Sequence, residues 1–185
     1  LLLPYNVIGI AGRATYDYDR RYFAEVNVGY NGSEQFSPDK RFGLFPAASF
    51  GWLITNEGFL QDNPVLTNLK LRASWGKLGN DQVKASDGFA SITTGNAASG
   101  VFGNSTFAGF QNSTYFSWLK WEVVEEWNAG LNFITLSNRL NIDVDYYHRM
   151  TKNAVISPLL PFSTTTLAGN YGKILNSGID VSAHW

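Results

Sequence analysis

Two pairs of carboxylates stand at spacings that chemistry could use. Asp143 and Asp145 lie in the run RLNIDVDYYHRM, Arg139 to Met150, and Glu122 and Glu126 lie in WEVVEEW. Paired carboxyl groups flanking one bond carry out glycoside hydrolysis, one as acid and the other as nucleophile or base. In an extended chain, residues two apart share a face with about 6.6 Å between α-carbons, close enough for Asp143 and Asp145 to act on one group. The plainer reading of both pairs is a hydrated polar wall, and no catalysis is expected. His148 and His184 fall on opposite faces by alternation and have no partner at ligand spacing, so no metal site is expected. The absence of cysteine removes thiolate chemistry and disulfides. No serine sits in a nucleophile-elbow context. The paired glycines of WGKLGND lack the strand–loop–helix setting and P-loop lysine of a phosphate cradle, so that run reads as a turn.

The elements that must hold these residues show a period of two. In the acidic run, Leu140, Ile142, Val144 and Tyr146 alternate with Asn141, Asp143, Asp145 and Tyr147. A β-strand throws successive side chains to opposite faces, so one face is apolar and the other ionic. The same alternation recurs about seven times. It runs through VIGIAGRATYDYD, YFAEVNVGY, LFPAASFGWLI, LKLRASWGK, WEVVEEWNAGLNFITL, RLNIDVDYYHRM and KILNSGIDVSAHW. Pro46 is expected near a strand start or at a bulge, since proline removes a ladder donor. The strands are about 9–13 residues long, the length a tilted strand needs to cross a bilayer and longer than the usual five or six. Their connections alternate in size: tight at 19–20, long at 31–43, moderate at 55–68 with room for a helical turn, very long and irregular at 79–119, tight at 137–138, and long at 151–171. Short turns at one end and long loops at the other are the habit of outer-membrane barrels.

Composition agrees. Lys plus Arg total 14 against 15 Asp plus Glu, a net charge of -1, which lacks the basic footprint of a nucleic-acid binder. Charged residues make up 16%, below the roughly 25% of soluble domains. Aromatic residues reach 15%, an excess that suits a chain with an apolar exterior band and aromatic girdles. No apolar run reaches the ~18 residues of a membrane-spanning helix, so any crossing is made by strands. An aspartate at the bilayer centre costs about 2.5–3.5 kcal/mol on insertion scales. If these strands span lipid, their ionic faces must therefore line a wet lumen. That assignment places Glu25, Asn27, Lys70, Arg72, Glu126, Asn128, Asp143, Asp145, Asp180 and His184 inside, and Leu71, Ile142, Val144 and Tyr146 against lipid. Tyr16, Tyr18, Tyr22, Tyr30, Tyr146 and Trp75 are expected near strand ends, at girdle positions.

Four stretches in this order carry a resemblance: GRATYDYDRRYFAEVNVGYNGSEQFSPDKRFGLFPAASFGW, LKLRASWGKLGND, WEVVEEWNAGLNFITLSNRLNIDVDYYHRMTKN and GNYGKILNSGIDVSAHW. Together they resemble the barrel portion of SusC/RagA-type TonB-dependent outer-membrane transporters of Gram-negative bacteria, and the likeness covers nearly the whole chain. It implies an all-β fold, a long antiparallel meander forming part of a transmembrane β-barrel of about 22 strands. It further implies a plug domain, a SusD-like surface lipoprotein as a hinged lid, coupling to the TonB complex, and import of glycans or oligopeptides. No cofactor is implied. With about seven strands and no plug segment, residues 1–185 are expected to form a partial barrel, since an open wall would leave unpaired edges in lipid.

The loop aromatics Phe102, Phe107, Phe110, Tyr115, Phe116 and Trp118 are candidates for touching cargo, because flat rings suit sugar faces and peptide side chains; the rival account has them pack the loop on itself or against the lid. Sequons at Asn31, Asn104 and Asn112 are read as products of Asn/Ser/Thr-rich loops. Two rival readings remain open from the residues alone. One is a soluble all-β carbohydrate-binding module, which would bury the apolar faces between two layers. The other is a glycoside hydrolase domain dependent on Asp143 or Asp145.

Overall fold

The computed structural model describes residues 6–60, 63, 65–82, 92–102, 105–112, 118–158 and 168–185. Seven long strands form one antiparallel sheet, and two shorter ones form a separate hairpin. In chain order the strands are β1 (Val7–Tyr18), β2 (Tyr22–Ser33), β3 (Phe42–Leu53), β4 (Leu66–Asn80), β5 (Ile92–Phe102), β6 (Ser105–Asn112), β7 (Glu122–Thr135), β8 (Leu140–Ile156) and β9 (Gly169–His184). The large sheet runs β1-β2-β3-β4-β7-β8-β9, each strand beside its nearest neighbour in the chain once the β5–β6 hairpin is set aside. This is the up-and-down meander that the alternation predicts.

The tight turns form as expected. Asp19 and Arg20 adopt left-handed backbone angles, φ 53° and 52°, and Leu136, Ser137 and Asn138 do the same at the β7–β8 turn. The tight curl lets each strand fold directly back on its predecessor. A 3₁₀ turn at Ile54–Asn56 occupies the moderate connection where a helical turn is expected.

Three expectations need correction. The region 79–119 is not wholly irregular: β4 continues to Asn80, and the β5–β6 hairpin lies within it, with its register interrupted between Gly95 and Gly100. Likewise β8 extends to Ile156 and β9 begins at Gly169, so the irregular part of 151–171 is shorter than the sequence suggests. Gly, Ser, Thr and Asn in these stretches hide the period-two contrast, and pairing with a neighbour supplies what local pattern does not. Tyr146 sits in the middle of β8 rather than near its end.

Pro46 lies inside β3, with a cause visible in the ladder. The β3–β4 pairing starts at Ala47↔Gly76, immediately beyond it, while β4 pairs with β7 up to Asn80↔Glu122. A residue without an N–H marks the point where β3 and β4 part.

Among the described residues, no second layer is stacked on the sheet. Val26 is 50% exposed and Leu71 40%, where a sandwich would bury both. The buried apolar cluster is Phe36, Phe45, Leu119, Trp121 and Ala168, all at the end where the long connections gather. Phe45 and Trp121 meet edge to face at 5.1 Å, and Phe36 packs on Trp121 at 5.3 Å. The Trp121 indole N–H donates to the Arg41 carbonyl at 2.9 Å. This cluster fills the gap between β3 and β4. A Cβ on Gly79 would overlap the Phe45 ring, so glycine is what lets the ring sit there.

Candidate functional site

Register and alternation bring all ten predicted lumen residues, His184 among them, to one face. One rung runs Arg13–Asn27–Ala47–Gly76–Glu126–Arg149–Asn176 across the seven strands. The next runs Thr15–Glu25–Ser49–Ser74–Asn128–Tyr147–Gly178, and a third Asp17–Phe23–Gly51–Arg72–Gly130–Asp145–Asp180. A fourth carries Lys70, Asn132, Asp143 and Ser182. These rungs line an open concavity of about 1140 Å³ that includes Glu25, Lys70, Arg72, Glu126, Asn128, Asp145 and Asp180.

The ionic groups on this face bond to one another. Arg72 on β4 donates through Nη2 to Asp145 Oδ2 at 2.6 Å and through Nε to Asp145 Oδ1 at 3.2 Å, and lies 3.5 Å from Asp143. Asn132 donates to Asp143 at 2.8 Å and to Asn141 at 3.0 Å. Arg149 Nε donates to Glu126 at 2.7 Å, and Asn128 donates to the same carboxylate at 2.8 Å. Arg13 and Asn27 both donate to Glu25, at 2.6 and 2.7 Å. Lys70 Nζ stands 5.4 Å from the centroid of the Phe23 ring. A carboxylate held by a bidentate guanidinium is an acceptor fixed in place, which suits a polar wall. Asp145 and Asp180 face each other across β8 and β9. Their acidic row is balanced on one side by Arg72.

Glycine makes these contacts possible. Arg72 reaches Asp145 by crossing β7 over Gly130, where any Cβ would strike both the Asp145 carboxylate and the Arg72 guanidinium. Tyr147 lies across Gly178 in the same way, its hydroxyl 2.7 Å from where a Cβ would stand. Arg13, Asn132, Tyr147 and Arg149 belong to this face as fully as the residues predicted for it. Their parity was available: Arg149 is in phase with Asp143 and Asp145.

The predicted loop aromatics are divided. Phe102 lies on β5, and Phe107 and Phe110 on β6, so all three stand on strands of the hairpin rather than in irregular loop. Tyr115 and Phe116 lie outside the described residues. Trp118 precedes β7 and its indole N–H donates to the Ala168 carbonyl at 3.0 Å, tying the chain before β7 to the one before β9. Asn31 falls within β2 and Asn112 is the last residue of β6, while Asn104 lies outside the described residues.

At the short-turn end, Glu57 gathers three donors. The Tyr22 hydroxyl lies 2.6 Å away, the Trp52 indole N–H 3.0 Å, and Arg21 Nη1 3.1 Å. These hold the Glu57 carboxyl below the usual carboxylate range, the Tyr22 hydroxyl contributing most. Arg21 is also paired with Asp19. The clamp joins the β1–β2 turn to the β3–β4 connection, beneath stacked rings of Tyr22 and Trp52 with centroids 6.1 Å apart.

The opposite face carries the apolar set. Ile10, Tyr16, Tyr18, Leu44, Ile179 and Val181 are each more than half exposed in this chain, and Val26 and Trp127 stand among them. A single sheet with an oily, uncovered face and a salt-bridged concave one is the wall of a membrane β-barrel. Comparison with known proteins narrows this class. Residues 4–185 match the family described as TonB dependent receptor-like, beta-barrel. The chain is 33% identical over 184 residues to the TonB-dependent receptor SusC of Bacteroides thetaiotaomicron, covering 96% of this chain and 18% of SusC. A TonB-dependent receptor of Formosa agariphila is 32% identical over 174 residues, covering 92% of this chain and 16% of that receptor. Among solved structures, the RagAB peptide transporter superposes with a TM-score of 0.83 at 25% identity, over 97% of this chain and 20% of that one. The siderophore receptor PirA from Pseudomonas aeruginosa shares the fold, with a TM-score of 0.63 at 11% identity. The chain belongs to the TonB-dependent receptor β-barrel family. It spans about one fifth of the length of SusC and of the RagAB chain it matches.

Proposed function

We propose that this chain is a wall segment of an outer-membrane, TonB-dependent nutrient importer that takes up glycans or oligopeptides. Its apolar face meets lipid and its polar face lines the lumen. The carrying observation is the division of faces: the predicted lumen residues share the side that holds the Arg13–Glu25, Arg72–Asp145 and Arg149–Glu126 pairs, while among the described residues the other side is uncovered and apolar. Identity to SusC and structural likeness to RagAB support the importer reading. In this reading a plug and the remaining strands belong to the same polypeptide, a SusD-like lipoprotein closes over the long-loop end, and the TonB complex drives passage from the periplasmic side. The wall transforms nothing; it gives cargo a rigid, hydrated boundary whose side chains already satisfy one another and so release what they touch.

The test uses the full-length gene in its own host. Deletion is expected to abolish growth on a panel of oligosaccharides or on a panel of oligopeptides, with growth on the corresponding monomers intact. Complementation restores it, and an uncoupler that collapses the proton-motive force removes it again. Unchanged growth on both panels, or recovery of the full-length protein from the soluble fraction, would sink the reading.

A further inference from the structure

On the apolar face, a group of ionic side chains stands together at the long-loop end. Alternation places Lys77 two residues beyond Trp75, Glu125 two before Trp127, Lys152 two beyond Met150, and Lys173 two before Leu175. The ladder pairs Lys77 with Glu125, and Lys152 directly with Lys173. Lys152 Nζ bonds to the Glu125 carboxylate, which also accepts the Trp75 indole N–H at 3.1 Å. Lys77 Nζ lies 5.6 Å from the centroid of the Trp75 ring, and Trp75 packs on Trp127 at 5.8 Å.

Lysine on the lipid face of a barrel is costly in hydrocarbon and nearly neutral at the interface, so this group marks headgroup level. Tryptophan just below it is where amphipathic rings settle. Among the described residues of this group the charges do not cancel: three lysines share one carboxylate. Moreover, Lys152 and Lys173 are like charges directly across a ladder, an arrangement that destabilises a sheet unless an anion stands between them. Lys173 is exposed and Lys152 keeps 45% of its side chain exposed, so the pair is accessible from the lipid side.

We propose that Lys77, Lys152 and Lys173 bind the phosphate of an outer-leaflet lipid headgroup, while Trp75 and Trp127 pack against the upper part of its acyl chains. Glu125 bonds to Lys152 and to the Trp75 indole, so its carboxylate competes with the phosphate and limits the strength of binding. The inference rests on the outer-membrane reading above and adds a lipid partner to it.

Native mass spectrometry of the full-length transporter in detergent tests it, with monophosphoryl lipid A, its dephosphorylated form and phosphatidylethanolamine as probes. The wild type is expected to retain monophosphoryl lipid A in preference to the other two. Combined Lys77→Gln, Lys152→Gln and Lys173→Gln substitution should weaken that binding on the order of tenfold or more, given the per-lysine attraction of anionic lipid surfaces. Lys70→Gln, on the opposite face, should leave it unchanged. Glu125→Gln gives a second reading that does not depend on the triple variant folding, because removal of the competing carboxylate should tighten binding. Equal retention of all three lipids, an unaffected triple variant, weaker binding by Glu125→Gln, or full displacement by inorganic phosphate would each overturn the proposal. Heat-modifiable gel mobility and growth on the imported nutrient report barrel integrity and transport separately, so a failed lipid site is distinguishable from a failed importer.

Discussion

At the scale of single residues, this wall depends on what its glycines leave out. The Arg72–Asp145 pair links β4 to β8 only because β7 presents Gly130 between them. Gly130→Val is expected to break the bidentate contact and crowd the face, at about 1–3 kcal/mol as for other overpacking substitutions. Denaturant unfolding of the full-length barrel in detergent would measure it, with Ala129→Val, whose side chain points to the other face, as the comparison. A cost for Gly130→Val no larger than for Ala129→Val would show that the crossing contact contributes nothing. The sequence shows Gly130 plainly, but only the ladder register reveals that Arg72 and Asp145, 73 residues apart, meet over it.

At the scale of elements, alternation gives each strand an apolar face and a polar one. Ala73 and Ser74 are neighbours on β4, yet Ala73 sits between Phe50 and Ala129 on the apolar face and Ser74 between Ser49 and Asn128 on the polar one. Ala73→Lys is therefore expected to cost roughly 2–4 kcal/mol of folding stability in bilayers, as for lysine near the midplane of a barrel, and Ser74→Lys close to nothing. Refolding into lipid vesicles under a denaturant gradient gives both numbers. Equal costs would mean that the two faces are not differently solvated. This division was legible in the sequence, because period two is a local property of seven separate runs. The β5–β6 hairpin was not, since its glycines and small polar residues carry no contrast between faces.

At the scale of the whole molecule, packing concentrates where β3 and β4 separate. Phe45 on β3 meets Phe36 from the β2–β3 connection, Leu119 and Trp121 from the segment before β7, and Ala168 from the segment before β9, and together they close that gap. Trp121→Ala should remove about 3–5 kcal/mol of local packing, in the range for a buried aromatic. Because Phe45 is the one member of the cluster that sits in a ladder, the expected effect is faster proteolytic nicking of the long connections, with heat-modifiable gel mobility of the full barrel unchanged. Loss of the folded barrel instead would place this cluster in the global core. Sequence reasoning weighed the loop aromatics for contact with cargo, with the lid or with their own loop, and did not single out Trp121 and Phe36, which build this internal cluster.

What the sequence determined by itself was the class of wall: all-β, antiparallel, one face for oil and one for water, with long connections at one end. Each follows from side-chain period and turn chemistry, which act over a few residues. Only the tertiary structure decided which ions meet, because ion pairing joins residues tens of positions apart and depends on register. It also decided that Pro46 ends a ladder, that aromatic side chains fill the gap beyond it, and that three lysines gather outside the barrel. Those outcomes depend on which strands lie side by side, and no local pattern contains that information.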